Sequence, residues 1–416
     1  MNMGSVSSVS SVRNASAGVR QFDVVIIGGG LAGLSLAVAL RNSGLSLALV
    51  EGQPPARLAA DQWDARVYAI SPGNVRFLDE IGIWAHVAAG MAGADGALGQ
   101  TRLTAVETME VFGDARGRLS FSAYEAGVDA LAWIAESSLL QGELWETVRR
   151  QGNLGLYCPA RPAALSLAAD AACLTLEDGR QLTAQLVVAA DGAQSWTRQA
   201  AGIEVRFHAY EQMGVVANFS CARPHDQTAF QWFRPDGVLA WLPLPGQRLS
   251  MVWSTSPRHA AELQALSAEA LCARVAEAGR QRLGALELLT PPAAFPLRLM
   301  RAPQAVAPRL ALIGDAAHTI HPLSGHGINL GFQDARELAC LLSDKPPHID
   351  CGDVRWLRRY ERARGEEVVA LQSATHVLQR LFGSTAPPLG WLRNTGLNLT
   401  QSLPLLKNVL VRYAMG

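Results

Sequence analysis

The stretch GDAAHTIHPLSGHGINLGFQD, residues 314–334, is the part of the chain that says most about its chemistry. It places acidic residues, histidines and several glycines close together. It follows an apolar run, presents the Asp315 carboxylate, and passes through two loop glycines into a helix predicted to begin at about Ile328. A carboxylate at a strand end can accept hydrogen bonds from sugar-like hydroxyls. Bare N–H groups at a helix start, with a dipole worth about half a unit charge, can face an anion. An ordinary strand–turn–helix corner capped by Asp315 would have a similar sequence, so the stretch indicates a cofactor site only when a second motif accompanies it.

A glycine-rich turn near the amino terminus supplies that second motif. An apolar strand, DVVII, runs into GGGLAG, and a helical stretch and a second strand follow before Glu51. Gly28 permits the tight turn, Gly30 lets the backbone approach a pyrophosphate, and Gly33 allows close helix–strand packing. Glu51 follows at about the spacing of the acid that binds ribose hydroxyls. The pattern predicts a dinucleotide site for FAD or NAD, because an acid at this place favours a free 2′-hydroxyl.

A third turn, DGAQSWTR from Asp191 to Arg198, also follows an apolar strand. The order G-x-G-x-x-G, D-G-x-x-S-x-x-R and G-D-A-A-H-x-x-H-P-x-x-G-x-G-x-N resembles the single-component FAD-dependent aromatic hydroxylases. Within them, the ubiquinone-biosynthesis ring hydroxylases are most similar. Similar segments at 64–84, 229–244 and 397–416 extend the resemblance over roughly residues 21–416.

The resemblance implies an α/β fold like that of para-hydroxybenzoate hydroxylase, with a discontinuous Rossmann-like FAD-binding domain, an antiparallel-sheet substrate domain and a C-terminal helical region. The predicted division is a flexible tail at 1–20, an FAD-binding domain at 21–100, 126–205 and 297–345, a substrate domain at 101–125 and 206–296, and the helical region at 350–416. Within these parts, residues 211–255 read as four strands, and residues 131–148, 267–289 and 354–382 read as helices.

In function, the resemblance implies an FAD-dependent monooxygenase that hydroxylates the aromatic ring of a polyprenylated ubiquinone precursor. It would use NAD(P)H and O2 through a flavin hydroperoxide, with Asp191 and Arg198 near the path of the reductant. Two alternatives stay open. One is an FAD-dependent hydroxylase or dehydrogenase of another aromatic substrate. The other is a weakly FAD-binding scaffold in a quinone-biosynthesis assembly, because Ser137 and Ser138 stand where the family has Asn and an Arg that reaches the FAD phosphates.

The motifs and the resemblance assign a set of cofactor-binding residues. They are Gly28, Gly30, Leu31, Ala32, Gly33, Glu51, Arg66, Gln141, Asp191, Gly314, Asp315, Pro322, Gly325, Gly327, Ile328 and Asn329.

The candidates for catalysis are Pro322 and His326. His326 stands where the family usually has Gln, so it either adds a titratable donor near the flavin or replaces the packing of that Gln. No metal site is predicted, because His318 and His321 lack Cys or acidic companions at ligand spacing and read as structural. One or two of the aromatic residues in the substrate sheet are expected to touch the substrate ring: Phe230, Trp232, Phe233, Trp241 and Trp253.

The composition narrows the classes of partner and the cell compartment that are compatible with this sequence. Thirty-six basic and 36 acidic residues, without long runs of one sign, give no electrostatic case for nucleic acid. Six scattered cysteines fit reduced thiols in a cytoplasmic protein, and no apolar run reaches the length of a membrane span. Residues 389–414 are apolar at helical spacing after an arginine-rich stretch. They form either a structural cap or an element that touches the inner membrane or a protein complex of ubiquinone biosynthesis.

Overall fold

The structure, a computed structural model, describes residues 19–56, 58–59, 61–89, 102–113, 117–320 and 327–383, and it describes the side chains of these residues except at 19, 208, 209 and 374–383. The described strands are β1 Val19–Ile27, β2 Leu47–Val50, β3 Val67–Ile70, β4 Thr104–Val106, β5 Thr108–Phe112, β6 Arg118–Ser122, β7 Ala132–Glu136, β8 Leu154–Tyr157, β9 Pro162–Leu167, β10 Ala172–Leu176, β11 Gln181–Ala189, β12 His208–Cys221, β13 Thr228–Arg234, β14 Gly237–Leu244, β15 Arg248–Thr255, β16 Leu286–Leu288, β17 Ala293–Arg301, β18 Val306–Ala307, β19 Leu310–Leu312 and β20 His318–Thr319. The described helices are α1 Leu31–Ala39, α2 Pro72–Glu80, α3 Trp84–Ala89, α4 Ala123–Ala126, α5 Ser137–Arg149, α6 Trp196–Ala200, α7 Pro257–Ala265, α8 Ala268–Ala278, α9 Gly327–Ser343 and α10 Val354–Gly383.

The first sheet has the order β18-β19-β11-β1-β2-β8, with β10 and β9 added beside β11. β1 runs parallel to β2 and β11, and β11 runs parallel to β19. The segment from Val24 to Ile27 is at most 2% exposed. Helices α1, α5 and α9 cover one face of the sheet, and a second apolar cluster covers the other. Burial on both faces explains why these strands are continuous apolar runs in the sequence.

The second sheet has the order β20-β17-β12-β15-β14-β13-β5-β6, with β16 beside β12. The four strands predicted within residues 211–255 are confirmed as β12 to β15, and their pairings are antiparallel. Helices α7 and α8 pack on one face of this sheet around a core that contains Trp232, Trp241 and Trp253. The opposite face is left for other contacts.

A third, small sheet has the order β3-β7-β4, and its residues pack both in the helix-covered core of the first sheet and against the second sheet. Ile134 of β7 and Val106 of β4 pack against Leu244 and Ala229 of the second sheet.

The predicted helix over 131–148 is wrong in its first third, because residues 132–136 form strand β7 and the helix begins only at Ser137. Antiparallel partners on both sides stabilise β7, and such tertiary pairing overrides local helix propensity.

The predicted helix over 267–289 is also too long. Helix α8 ends at Ala278, and Arg280 and Gln281 adopt left-handed φ values of 56° and 53° before the chain enters β16. Gly279 marks the stop, since a Cβ there would lie 2.0 Å from the Trp241 ring. The close approach of the helix end to Trp241 therefore requires glycine.

The C-terminal helix α10, Val354–Gly383, agrees with the helix predicted over 354–382. The apolar stretch at 389–414 lies outside the described residues. Within the described part of the chain, no helix is both long enough and apolar enough to cross a membrane. The α/β fold class is confirmed, whereas the predicted boundaries between domains stay a prediction.

Candidate cofactor site and substrate face

A cavity of about 920 Å³ is walled by residues of both large sheets. This volume lies near the upper end of the range of roughly 300–1,000 Å³ for small-molecule sites, as expected for a ligand the size of a dinucleotide. The predicted cofactor residues that line it are Gly28, Gly30, Leu31, Ala32, Glu51, Arg66, Gln141, Asp191, Gly314, Asp315, Gly327 and Ile328. Motifs that are far apart in sequence therefore meet around one space.

The glycine-rich turn after β1 has the shape that a pyrophosphate needs. A Cβ on Gly28, whose φ is +112°, would lie 2.3 Å from the Ala190 oxygen, and a Cβ on Gly33 would lie 2.1 Å from the Gly28 oxygen. A Cβ on Gly30, in contrast, would meet no atom within 4 Å. Helix α1 begins next to Gly30 without a side-chain cap, so its first N–H groups remain available to an anion.

Glu51 directly follows β2 and lies beside this turn. Its Oε2 accepts a hydrogen bond from the Gly29 N–H at 2.5 Å, and its Oε1 accepts one from the Gln53 N–H at 3.0 Å. Gln141 of α5 donates from Nε2 to the Gly29 oxygen at 2.8 Å. The acid and the amide hold the turn from two sides, and the remaining lone pairs of Glu51 are suited to ribose hydroxyls.

Asp315 stands in a short helical turn that follows β19. A buried carboxylate, Asp334 of α9, anchors this turn. Its Oδ2 accepts from the Gly314 N–H at 2.9 Å and lies 2.7 Å from Nε2 of His318, and its Oδ1 accepts from Nε of Arg364 at 2.8 Å. The interpretation of His318 as a structural hydrogen-bonding residue is confirmed. The carboxylate fixes the turn relative to both α9 and α10.

The surroundings of Asp334 and Asp315 shift the pKa values of the two carboxyl groups in opposite directions. Burial alone would raise the pKa of Asp334, but His318 and Arg364 outweigh it and hold that pKa below its usual value. At Asp315, crowding by protein atoms raises the pKa, and His318 and Arg66 oppose the rise only in part. The residue nevertheless remains exposed to the open cavity. Hydroxyl groups of a bound ligand would offset the desolvation of this carboxyl.

Arg66 supplies a cation on the same cavity wall as Ser137. The Ser137 N–H donates to the Arg66 oxygen at 2.9 Å, and both residues line the cavity together with Tyr68. Burial raises the pKa of the Tyr68 phenol, while Arg66 and Ser137 act to lower it. The guanidinium of Arg66 can therefore face a phosphate even though position 138 carries no Arg.

The turn after β11 has a structural role. The Asp191 carboxylate accepts from the Ser195 hydroxyl at 2.5 Å and from the Thr197 N–H at 2.9 Å. Arg198 is 1% exposed and donates to the Ala316 oxygen and the Ala193 oxygen, each at 2.9 Å. The Arg198 side chain is buried and engaged with backbone oxygens beside the Asp315 turn, and its placement near the reductant path stays a prediction.

Two predicted cofactor residues, Gly33 and Asn329, lie within the described part of the chain but do not line the cavity. Gly33 acts through packing inside α1. The Asn329 side chain is engaged with the backbone of Ser71 and Ala69, at 3.0 and 2.8 Å, and with Asn74. Pro322 and Gly325, together with the catalytic candidate His326, lie outside the described residues.

Several cavity residues were missed by the sequence analysis. They are Tyr68, Ser137, Arg161, Trp196, Phe207, Phe295, Leu297 and Arg298. Tyr68 lies on β3, and Phe295, Leu297 and Arg298 lie on β17, so the short motifs gave no signal for these four residues, which join the site only through the fold. Asp334 was also missed, although an acid within the apolar face of a helix is a recognisable sign of a buried pair. Among the described residues, no group of His, Cys, Asp and Glu could hold a metal ion.

The aromatic residues of the second sheet divide unequally between its faces. Phe230, Trp232, Trp241 and Trp253 belong to the core beneath α7 and α8. Phe233 points to the opposite face and packs with Val111 and Leu119. Four of the five aromatic candidates for contact with a substrate ring are therefore core residues, and the strand alternation turns them away from the cavity.

Comparison with known proteins identifies the family. Residues 21–370 match the family model described as FAD binding domain. The chain belongs to this family. The predicted cofactor, FAD, is thereby confirmed, and it suits the open backbone at Gly30 and the acids at positions 51 and 315.

Full-length relatives agree with this assignment. The chain is 34% identical over 398 residues to the 3-demethoxyubiquinol 3-hydroxylase of Escherichia coli (strain K12), covering 95% of this chain and 98% of that protein. It is 34% identical over 395 residues to the ubiquinone hydroxylase UbiL of Rhodospirillum rubrum, covering 95% and 89%. The solved structure of p-nitrophenol 4-monooxygenase PnpA from Pseudomonas putida DLL-E4 shares the fold, with a TM-score of 0.76 at 17% identity over 95% of this chain and 99% of that chain.

Proposed function

We propose that this protein is an FAD-dependent monooxygenase that hydroxylates the aromatic ring of a polyprenylated ubiquinone precursor, with NAD(P)H as electron donor and O2 as co-substrate. The observation that carries the proposal is the 34% identity to a ubiquinol ring hydroxylase over 95% of this chain and 98% of that protein. The cavity between the two large sheets supports it, since it joins a dinucleotide cradle to an apolar sheet face.

FAD, when bound, would take up reducing equivalents from NAD(P)H and activate O2 for insertion into an electron-rich ring. The chain itself has to bind, orient and shield. The turn at Gly28 to Gly33 would hold the pyrophosphate, Glu51 the adenosine ribose, and Asp315 the hydroxyls of the ribityl chain. The first N–H groups of α9, at Gly327 and Ile328, would stabilise negative charge on the reduced ring.

The proposal includes a lipid-like substrate. Burying a prenyl tail contributes about 0.8 kcal/mol per CH2-sized group, so a few isoprene units would supply most of the binding free energy. We extend the proposal to cytoplasmic action at the surface of the inner membrane, within an assembly of ubiquinone-biosynthesis proteins. Support comes from the exposed arginines at 355, 358, 359 and 362 on α10, which offer positive charge to an anionic surface.

Lipid extraction from a strain that lacks this protein tests the proposal. We expect a ubiquinone precursor that lacks one ring hydroxyl to accumulate, and the wild-type gene to restore the normal quinone. Unchanged quinones would refute the proposal. Assay of the purified holoenzyme under ¹⁸O2 separates the alternatives, because a dehydrogenase would oxidise NAD(P)H without placing ¹⁸O in the product.

A further inference from the structure

The second sheet has a face that its helices do not cover. Along β12, β14 and β15, the residues that alternate with the buried core are Val216, Ala240 and Val252, and they lie side by side in register. Ala240 and Val252 are half-buried and Val216 is buried, and small apolar side chains of this kind form a flat surface. Its dimensions and polarity suit one face of an aromatic ring.

This face continues into the wall of the FAD cavity. In the next row, Ser254 pairs with Gly214, and Gly214 pairs with Phe295 of β17. A Cβ on Gly214 would lie 2.9 Å from the Phe295 ring and 3.2 Å from a methyl carbon of Leu297. Because Phe295 and Leu297 line the cavity, a ring on the sheet face would lie next to the cofactor.

Gln231 of β13 extends the row of paired residues Val216, Val252 and Ala240, and it is the polar residue of that row. It is 8% exposed, and its register neighbours on either side are Val111 and Ala240. Along its own strand, the residues that share its face are Ala229 and Phe233. Within the described part of the chain, the Gln231 amide has no hydrogen-bond partner, and its polar atoms are not among those that are fully enclosed.

An unpaired amide among apolar neighbours lowers the stability of the free protein, because burial to 8% exposure restricts its hydrogen bonding to water and no described protein group replaces that water. A hydrophobic side chain of the same length would avoid that cost. The position therefore makes physical sense when a polar group of a ligand completes the hydrogen bonding. Ser254, 4% exposed and also without a partner in the described part of the chain, marks the next row of the same face.

We propose that Gln231 recognises the hydroxyl of the substrate phenol and thereby sets the orientation of the ring above Ala240 and Val252. This inference rests on the proposed function and names a specificity-determining residue for it. The amide oxygen can accept the phenolic proton, and the amide N–H can donate to the phenolic oxygen. An analogue without the hydroxyl would leave the amide unpaired and bind more weakly.

The test compares two ligands and three forms of the FAD-loaded protein. The ligands are 2-geranylphenol and geranylbenzene, which differ only in the hydroxyl, and binding is followed by the change in flavin absorption. We expect wild type to prefer the phenol by about tenfold and Gln231→Met to bind both about equally. Gln247→Met, the same change at an exposed hairpin position, should keep the wild-type preference.

A second measurement separates recognition from structure. The substrate-free Gln231→Met protein should melt at or above the wild-type temperature, because the substitution removes an unpaired amide. An unchanged preference for the phenol in Gln231→Met, or a clear fall in its melting temperature, would overturn the inference. If wild type neither responds to 2-geranylphenol nor inserts oxygen into it, the proposed function fails first, and the assignment of Gln231 fails with it.

Discussion

Replacing Asp334 with Asn should weaken both the fold and the binding of FAD. The carboxylate accepts from Gly314, lies against His318, and pairs with Arg364, with distances of 2.9, 2.7 and 2.8 Å. It is fully buried. Asn keeps the volume but retains only one acceptor oxygen, so at least one donor must face an amide N–H.

The magnitude follows from the charge left behind. Arg364 is 7% exposed, and its guanidinium would lose its buried counter-charge and keep only the partly exposed Glu367 as a partner of opposite charge. Removing one partner of a buried pair costs about 3–5 kcal/mol, and the Asn oxygen recovers part of it. We therefore expect a loss of about 3 kcal/mol in the free energy of unfolding. Because the Gly314 turn carries Asp315, FAD affinity should fall by at least about tenfold.

Urea denaturation of the apoprotein and titration with FAD measure the two effects. Asp344→Asn is the matched control, since Asp344 is an exposed acid near the end of the same helix. It should change neither quantity. If Asp334→Asn lost less than about 1 kcal/mol and bound FAD like wild type, the carboxylate would not anchor the turn as described.

Three further predictions follow from the same site. Gly30→Ala should leave the melting temperature of the apoprotein unchanged but weaken FAD binding at least about tenfold. Gly33→Ala should lower the melting temperature, because the Cβ at position 33 would lie 2.1 Å from the Gly28 oxygen, whereas the Cβ at position 30 would meet no protein atom within 4 Å. Equal melting temperatures of the two variants would contradict this prediction. Glu51→Gln should raise the dissociation constant of FAD about tenfold in a fluorescence titration, since one charge-assisted acceptor is lost, and an unchanged constant would exclude Glu51 from the site. The stabilisation by Asp334 is fully present above the pKa of an unfolded Asp, about 4, and it is lost as the pH falls through the lower pKa of Asp334 in the folded protein. The difference in unfolding free energy between wild type and Asp334→Asn should therefore narrow on acidification. A difference that stays constant down to a pH of about 2 would contradict the lowered pKa.

The part of the site that short motifs encode was predictable. The turn at Gly28 to Gly33, the acid at Glu51 and the acid at Asp315 each follow a buried strand, and strand ends of a parallel sheet meet at one edge. Residue type and local spacing therefore located the cradle. Its residues surround one cavity in the structure.

The part that depends on pairing between distant strands was not predictable. Residues 132–136 read as helix, because nothing near them in sequence announces β3 and β4 as neighbours. The aromatic residues of the second sheet alternate as any strand does, and only the packing of α7 and α8 decides which face is core. The same uncertainty of face concealed Gln231, which is an ordinary polar strand residue until its register is known.

The cofactor cavity has a consequence for how the protein is made. Its wall takes residues from β1 near the amino terminus, from the turn after β11, and from the turn after β19. Strand β11 lies between β1 and β19 in the sheet, so the order in space differs from the order of synthesis. A nascent chain on the ribosome cannot complete the cradle until Asp315 and the start of α9 have emerged, because these cavity residues come last in the sequence. FAD can therefore select only chains whose distant segments have already met, and its availability should set the yield of the finished protein after translation rather than during it.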